Sequence, residues 1–145
     1  MPTLIRFGVS IDEELLKDFD RFISQGDYVN RSEAFRDLIR ARLMEEDLQN
    51  PRMHAYGVLT LVYNHHQKEL AERLTETQHT NHHLVISTTH VHISHELCLE
   101  VILFKGTVRE LHKMATALGN FKGVLNHHLT LTTADERHEN GHHHT

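Results

Sequence analysis

Apolar residues repeat with two different periods in the first fifty positions of the chain. Residues 5–11 alternate between apolar and polar side chains, which is the period of a strand with one face turned to a core. Two helical patterns follow, one that Asp12 can cap and Gly26 ends, and one that Asn30 can cap with Glu33 three residues later, as in a capping box. We therefore predict one strand and two helices in this block.

A single amphipathic strand leaves the hydrogen-bonding groups along its edges without partners. About fifty residues also bury too little apolar surface to hide two helical stripes within one chain. The block is therefore predicted to dimerise, with the strands of two chains paired as an antiparallel ribbon. In that ribbon Ile5, Phe7 and Val9 face the helices. The outward side chains are Arg6, Gly8 and Ser10.

Such a ribbon has the dimensions to enter the major groove of DNA. Arg6 can donate to a guanine and Ser10 can contact a base edge, while the backbone amides of Arg31 and Ser32, at the start of the second helix, can hold a phosphate. The alternative is a plain dimerisation strand with a solvated outer face. Residues 1–50 carry 7 Lys and Arg against 11 Asp and Glu, so any basic surface must be local.

After a break at Pro51, the pattern from Met53 onward predicts strand, helix, strand, strand, helix and strand. This order is typical of the ferredoxin-like βαββαβ fold. We therefore assign the chain to the α+β class. The predicted divisions are an N-terminal β-α-α domain at residues 1–47, a linker at 48–53, a second domain at 54–132, and a histidine-containing tail at 133–145 that we expect to be disordered.

The chain has 16 histidines beside one cysteine, a bias that favours metal binding. His90 and His92 lie two positions apart in a predicted strand, so both point to one face at a separation of about 7 Å. If residues 94–96 form the turn of a hairpin, Cys98 lies opposite His92 on that face, with Glu100 next along the strand. The other face of the hairpin, which we expect to be the core, carries Val91, Ile93, Leu97, Leu99 and Val101.

A fourth metal donor is available on either side of the first helix of this domain. The candidates are His79, His82 and His83 after the helix, and His65 and His66 before it. Mixed nitrogen and sulfur donors suit zinc in tetrahedral geometry, and Ni(II) or Cu(II) in planar geometry. The alternative is that these histidines are solvated on an exposed strand face.

Two stretches of sequence carry a family resemblance. The turn Gly26-Asp27-Tyr28 and the segment Asn30-Arg31-Ser32-Glu33-Ala34-Phe35-Arg36-Asp37 resemble a ribbon-helix-helix repressor domain. With Gln78-His79, His90-Val91-His92 and Cys98-Leu99-Glu100 behind it, the chain is similar to the nickel-responsive regulators of the NikR family over residues 4–132. The resemblance implies an ACT-like C-terminal domain, a homotetramer built as a dimer of dimers, double-stranded operator DNA as partner, and one square-planar Ni(II) per subunit.

The resemblance also implies roles for particular residues. His90, His92 and Cys98 of one subunit would bind nickel together with His79 of a neighbouring subunit. The residues expected to orient these ligands are Tyr63, Gln78 and Glu100. The implied function is a cytoplasmic transcription regulator that represses nickel uptake genes when Ni(II) binds. Gly8 stands where the family usually has a hydroxyl residue, so we expect the base contact at this position to differ.

The same residues are compatible with two other classes of protein. A regulator whose ACT-like domain senses zinc, copper or a small molecule is the nearer alternative. A zinc hydrolase is more distant, since the stretch from His90 to His95 approaches the H-x-H-x-D-H pattern of metallo-β-lactamases but has Ser94 in place of the aspartate, and 145 residues are too few for that fold. We therefore predict that the protein is not an enzyme. No apolar run approaches the roughly 18 residues that a membrane span needs.

Overall fold

The computed structural model describes residues 3–134 of the chain. These residues divide into two compact units, residues 3–45 and residues 46–134. The elements are α1 (Glu13–Gln25), α2 (Arg31–Asp47), β1 (His54–Asn64), α3 (Lys68–Thr80), β2 (Val85–His92), β3 (Leu97–Thr107), α4 (Val108–Gly119) and β4 (Val124–Thr132). None of the helices described is long and apolar enough to cross a lipid bilayer. Most of the predicted histidine-containing tail, residues 135–145, lies outside the described residues.

Side chains cap both helices of the first unit. The Asp12 carboxylate accepts a hydrogen bond from the Leu15 amide at 2.9 Å, which satisfies one of the free amides at the start of α1. At the start of α2 the Asn30 side chain accepts from the Glu33 amide at 2.9 Å. The Glu33 carboxylate accepts from the Val29 amide at 3.1 Å instead of from Asn30. The predicted capping box is therefore half formed, with its return bond displaced by one residue.

The predicted N-terminal strand has no counterpart among the strands of the described single chain, since residues 3–12 have no regular secondary structure. Its apolar side chains are largely exposed, with Leu4 at 82% and Ile5 at 83%. Phe7 lies against Phe35 of α2, with ring centroids 5.8 Å apart. A strand exists only through its hydrogen bonds to another strand, and no second strand is present in this unit. The ribbon therefore stays a prediction about two chains.

The second unit confirms the predicted α+β fold. Its four strands form one antiparallel sheet in the order β2-β3-β1-β4. The two central strands are β3 and β1, which pair over their full length from His54 opposite Thr107 to Asn64 opposite Leu97. This is the strand order of the ferredoxin-like arrangement, in which the two βαβ units interleave.

The sheet is covered by helices on one face. Residues of β1 and β3 that are fully or almost fully buried meet apolar residues of α3 and α4 on this face; the core contains Leu59, Leu61, Ile102, Phe104, Leu70, Leu74, Leu111 and Leu118. The opposite face remains partly exposed, with Tyr56 at 46%, Val58 at 38% and Val91 at 44%. Apolar side chains therefore line both faces, and only one face is covered within the chain.

This arrangement overturns the face assignment made from the sequence. Cys98 and Glu100 are 3% and 1% exposed and lie on the helix-covered face, whereas Val91 and Ile93, assigned to the core, are 44% and 49% exposed. Alternation along the hairpin grouped the residues correctly, because neighbours in a strand must point to opposite faces. It could not identify the covered face, because the apolar stripes of α3 and α4 decide that by packing.

A complete capping box begins α4. The Thr107 hydroxyl accepts from the Glu110 amide at 3.2 Å, and the Glu110 carboxylate accepts from the Thr107 amide at 3.1 Å and from its hydroxyl at 2.9 Å. The bond from the Thr107 backbone is the main cause that lowers the pKa of Glu110, followed by the bond from the Thr107 side chain. Nearby His83 and His54 lower this pKa further.

Replacing Glu110 with glutamine should reduce the acid sensitivity of the fold. The folded chain has the lower pKa, so the carboxylate stabilises the fold above its unfolded pKa, and this contribution is lost as the pH falls through the lowered value. We expect Glu110→Gln to be less stable than wild type at about pH 7 and to lose less stability between about pH 7 and pH 3. Urea unfolding at a fixed chain concentration measures both. Glu76→Gln, at an exposed position of α3, is the matched control, and identical pH dependence of Glu110→Gln and wild type would contradict the expectation.

Candidate functional site

The β2–β3 hairpin brings the predicted donors into one row. Its turn is held by the Ser94 hydroxyl, which accepts from the Leu97 amide at 3.0 Å and from the Glu96 amide at 3.3 Å. This turn sets the register in which His92 lies opposite Cys98 and His90 lies opposite Glu100. The register predicted from the sequence is therefore the register that the structure has, and all four side chains belong to the same face of the sheet.

The members of this row differ in burial. Cys98, which is the only cysteine of the chain and has a free thiol, is 3% exposed. Glu100 is 1% exposed, whereas the His90 side chain is 50% exposed and His92 is also exposed. The row therefore combines solvent-accessible imidazoles with a buried thiol and a buried carboxylate.

The Glu100 carboxylate accepts hydrogen bonds from one side chain of β1 and one side chain of α3. The Tyr63 hydroxyl of β1 donates to its Oε2 at 3.1 Å, and the Gln78 amide of α3 donates to its Oε1 at 2.7 Å. His90 stands beside them, with its Nε2 3.6 Å from Glu100 Oε1 and its Nδ1 3.5 Å from the Tyr63 hydroxyl. The structure thus brings the three expected supporting residues together next to one predicted ligand.

The phenol of Tyr63 is held in its protonated form. Burial is the main cause that raises the pKa of Tyr63, and the neighbouring Glu100 charge and the Cys98 side chain raise it further. A protonated phenol can donate one hydrogen bond, which here goes to Glu100. Tyr63 therefore acts as a fixed donor to the buried carboxylate.

His79 is the predicted ligand that lies apart from this row. It is an exposed residue near the end of α3, where its carbonyl accepts from the His82 amide at 3.3 Å. Over residues 3–134, no group of three or more His, Cys, Asp or Glu side chains is close enough together to hold a metal ion. A single chain therefore presents donors without completing a metal centre.

The chemistry of the donor row nevertheless fits a transition metal. Two imidazoles and a thiol are the nitrogen and sulfur donors that Ni(II), Cu(II) and Zn(II) take. Metal-bound imidazoles commonly donate their second nitrogen to a carboxylate, and Glu100 lies in that position beside His90. A planar or tetrahedral centre still needs a fourth donor from elsewhere.

A second group of imidazoles, those of His65, His66 and His95, lies beside His92. The sequence analysis did not predict this group. The ring centroid of His65 is 4.8 Å from that of His92 and 4.2 Å from that of His66, which in turn is 5.5 Å from His95. The loops meet here because the His65 amide donates to the Glu96 carbonyl at 2.9 Å. His95, interpreted from the sequence as a loop residue, lies in the turn as expected.

The environment of His65 favours its neutral form. Burial is the main cause that lowers the pKa of His65, and the neighbouring His66, His92 and His95 lower it further. Its Nδ1 atom is buried and has no hydrogen-bond partner within the described residues. Of the alternative fourth donors, the structure thus places His65 in contact with His92. The end of β1 and the turn of the hairpin lie at the same end of the sheet, since Asn64 pairs with Leu97. This shared position is the signal that would have predicted the contact.

The candidate DNA-binding residues lie in the first unit. Arg6, Gly8 and Ser10 are exposed, and a side chain at Gly8 would meet no atom within 4 Å. The Arg31 guanidinium is engaged by the Asp20 carboxylate through two bonds of 2.9 Å, which lower the pKa of Asp20.

The start of α2 keeps two amides available. No hydrogen bond within residues 3–134 takes up the backbone amides of Arg31 and Ser32. Free amides at a helix start are the groups that bind phosphate. The side chain of Arg31 therefore fixes α2 to α1, while its amide remains exposed for a ligand.

Comparison with known proteins gives matches along almost the whole chain. The family model of the NikR C terminal nickel binding domain matches residues 56–132, and that of the ribbon-helix-helix protein, copG family, matches residues 5–46. A protein of Geobacter metallireducens that is named as a nickel-responsive regulator is 47% identical over 94% of this chain and 98% of its own length. Another protein with this name, from Trichlorobacter lovleyi, is 48% identical over 95% of this chain and 99% of its own length.

A solved structure shares the fold of part of this chain. An uncharacterized protein from Thermotoga maritima has a TM-score of 0.50 at 14% identity, covering 55% of this chain and 99% of its own. At this identity the likeness shows the fold alone. The two family models and the full-length relatives establish more: the chain belongs to the NikR family of nickel-responsive ribbon-helix-helix transcription regulators, which are not enzymes.

Proposed function

We propose that this chain is a Ni(II)-dependent repressor of nickel uptake genes, acting in the cytoplasm. Its nickel ligands are His90, His92 and Cys98 of one subunit and His79 of the partner subunit, with one Ni(II) per chain. The observation that supports this set is the hairpin register, in which His92 lies opposite Cys98 and His90 opposite Glu100. Two relatives named as nickel-responsive regulators are 47% and 48% identical to this chain over 136 and 138 residues.

A second chain supplies what one chain lacks. The row on β2 and β3 offers three nitrogen and sulfur donors, and planar Ni(II) takes four. His79 is exposed on α3 and is therefore available to a neighbouring subunit. Placing the fourth donor on another chain makes nickel binding depend on assembly.

The uncovered sheet face supports a homotetramer. Its exposed apolar side chains include Tyr56 at 46%, Val58 at 38%, Val91 at 44% and Leu103 at 37%. A contiguous apolar face of this kind is typical of an interface between subunits. In our proposal the second units of four chains pack through such faces, and the first units pair as two dimers.

The supporting residues would orient the ligands. Glu100 is fixed by Tyr63 and Gln78, and it lies where it can accept a hydrogen bond from one ring nitrogen of His90. The other ring nitrogen, Nδ1, lies 3.5 Å from the Tyr63 hydroxyl, whose proton goes to Glu100, so its lone pair is left for the metal. Nickel, when bound, supplies a link between two subunits. Because the thiol must lose its proton and the imidazoles must be neutral to bind metal, nickel affinity falls as the pH drops.

The first unit would contact the operator. Paired N-terminal segments would form a ribbon whose Arg6, Gly8 and Ser10 enter the major groove, while the amides of Arg31 and Ser32 hold a phosphate. The contact between Phe7 and Phe35 supports an inward-facing apolar side for this segment. Nickel affects DNA affinity through its preference among the arrangements of the tetramer, and by linkage operator DNA tightens nickel equally.

The first test is a nickel titration of untagged protein, followed by the thiolate-to-nickel absorption band in the near ultraviolet. We expect saturation at one nickel per chain, and loss of the band and of tight binding in Cys98→Ala. His112→Ala, at an exposed position of α4, should bind like wild type. Tight binding that survives Cys98→Ala and is lost in His66→Ala would instead assign the metal to the imidazole group around His65.

Replacing Tyr63 with phenylalanine should weaken both the fold and the nickel site. It removes a donor to a buried carboxylate, so we expect the free energy of unfolding to fall by about 1.5–3 kcal/mol, and nickel affinity to fall by about tenfold or more. Tyr28→Phe, in the first unit, should change neither. A Tyr63→Phe variant with the nickel affinity of wild type would remove Tyr63 from the proposed site.

Replacing Arg6 with alanine tests the ribbon. Loss of a bidentate contact to guanine costs about 1–3 kcal/mol, which is about 5- to 150-fold in affinity for operator DNA. Binding to unrelated DNA should change much less. Arg42→Ala, an exposed arginine of α2 paired with Glu45 at 3.8 Å, is the control. Fluorescence anisotropy with nickel present measures both, and an equal loss on operator and unrelated DNA would assign Arg6 to the phosphate backbone.

A further inference from the structure

Thr88 of β2 begins a chain of hydrogen bonds that ends beside the proposed ligands. Its hydroxyl donates to the Gln78 side-chain carbonyl at 2.8 Å. The amide nitrogen of Gln78 donates to Glu100 at 2.7 Å, and Tyr63 donates to the other oxygen of Glu100 at 3.1 Å. His90 lies two residues after Thr88 on the same face of the same strand. The chain therefore joins β2, α3, β3 and β1.

The Glu100 carboxylate determines which way the Gln78 amide points, and the Thr88 hydroxyl stabilises that orientation. An amide has a donating end and an accepting end, and the Glu100 carboxylate needs the donating end. In the reversed orientation the Gln78 oxygen would face a carboxylate and its nitrogen would face the Thr88 hydroxyl. Gln78 is 9% exposed and Glu100 is 1% exposed, so an unmatched group here would be costly. Thr88 donates to the Gln78 oxygen and so satisfies this buried acceptor in the orientation that Glu100 requires.

The same bond ties together the two elements that carry proposed ligands. Gln78 immediately precedes His79 on α3, and Thr88 precedes His90 on β2 by two positions. The interaction of Thr88 with Gln78 is the side-chain hydrogen bond between α3 and β2 within the described residues. A shift of α3 along the sheet would break it, and would move His79 as well.

We propose that Thr88 is a positioning residue for the nickel centre, acting through Gln78 on Glu100 and on the placement of α3. This inference rests on the proposed function, because it concerns the ligands named there. Thr88 touches neither metal nor DNA in this scheme. It keeps the Glu100 carboxylate beside His90. It also keeps His79 at the position from which it can bind the nickel of a partner subunit.

The test compares Thr88→Val, which keeps the shape and loses the hydroxyl, with Thr88→Ser, which keeps the hydroxyl. Competition with a chelator measures the nickel affinity of full-length protein. We expect Thr88→Val to bind nickel about tenfold more weakly and Thr88→Ser to bind within about threefold of wild type. Thr89→Val is the matched control, since Thr89 is exposed on the opposite face of the same strand.

A second readout uses the metal-free protein and therefore does not depend on nickel binding. In a nitrogen-15 NMR spectrum the side-chain amide signals of Gln78 should shift in Thr88→Val and return in Thr88→Ser, while Thr89→Val leaves them unchanged. If Thr88→Val fails to fold, Thr88→Ala measured by the same spectrum replaces it.

The outcomes separate this inference from the proposed function. Unchanged Gln78 signals and unchanged nickel affinity in Thr88→Val would overturn the positioning role, and so would an equal loss of affinity in Thr88→Ser. Absence of a thiolate band in wild-type protein would overturn the proposed nickel centre, whatever the Gln78 signals show.

Discussion

The buried carboxylate of Glu100 constrains how β1, β2, β3 and α3 of the second unit pack together. A carboxylate that is 1% exposed destabilises a fold unless donors compensate for the lost water. Those donors come from Gln78 and Tyr63, so α3 and β1 must both be in register with β3 before the charge is satisfied. The same requirement brings Thr88 and His90 into place, since both lie on the strand that borders β3.

The sheet of the second unit has two apolar faces, and a single chain covers only one of them. Packing of α3 and α4 buries one face and leaves Val58, Val91 and Leu103 at the other. In the proposed assembly, another chain buries that second face. The metal donors are incomplete in the same way, because one chain supplies a row of donors without a completed metal centre among residues 3–134. In a regulator, such a division couples ligand binding to the arrangement of subunits, and coupling of this kind is what allows a metal to change DNA affinity.

The first unit likewise leaves apolar side chains uncovered within one chain. Its N-terminal segment has the alternation of a strand, yet Ile5 is 83% exposed and the segment forms no ladder within one chain. Its two helices are nevertheless well defined, because Asp12 and Asn30 cap them locally and Arg31 pairs with Asp20 between them. Local hydrogen bonds therefore shape the helices, whereas the ribbon requires groups that only another strand can provide.

The sequence by itself determined whatever depends on near neighbours: the helix caps, the order of strands and helices, and the hairpin register that groups His90, His92, Cys98 and Glu100. These features follow from periods of two and 3.6 residues and from the chemistry of caps and turns. The tertiary structure alone decided which sheet face the helices cover, that His65 lies against His92, and that Thr88 holds Gln78. Alternation treats the two faces of a strand as equivalent, and contacts between residues from different elements depend on how those elements pack.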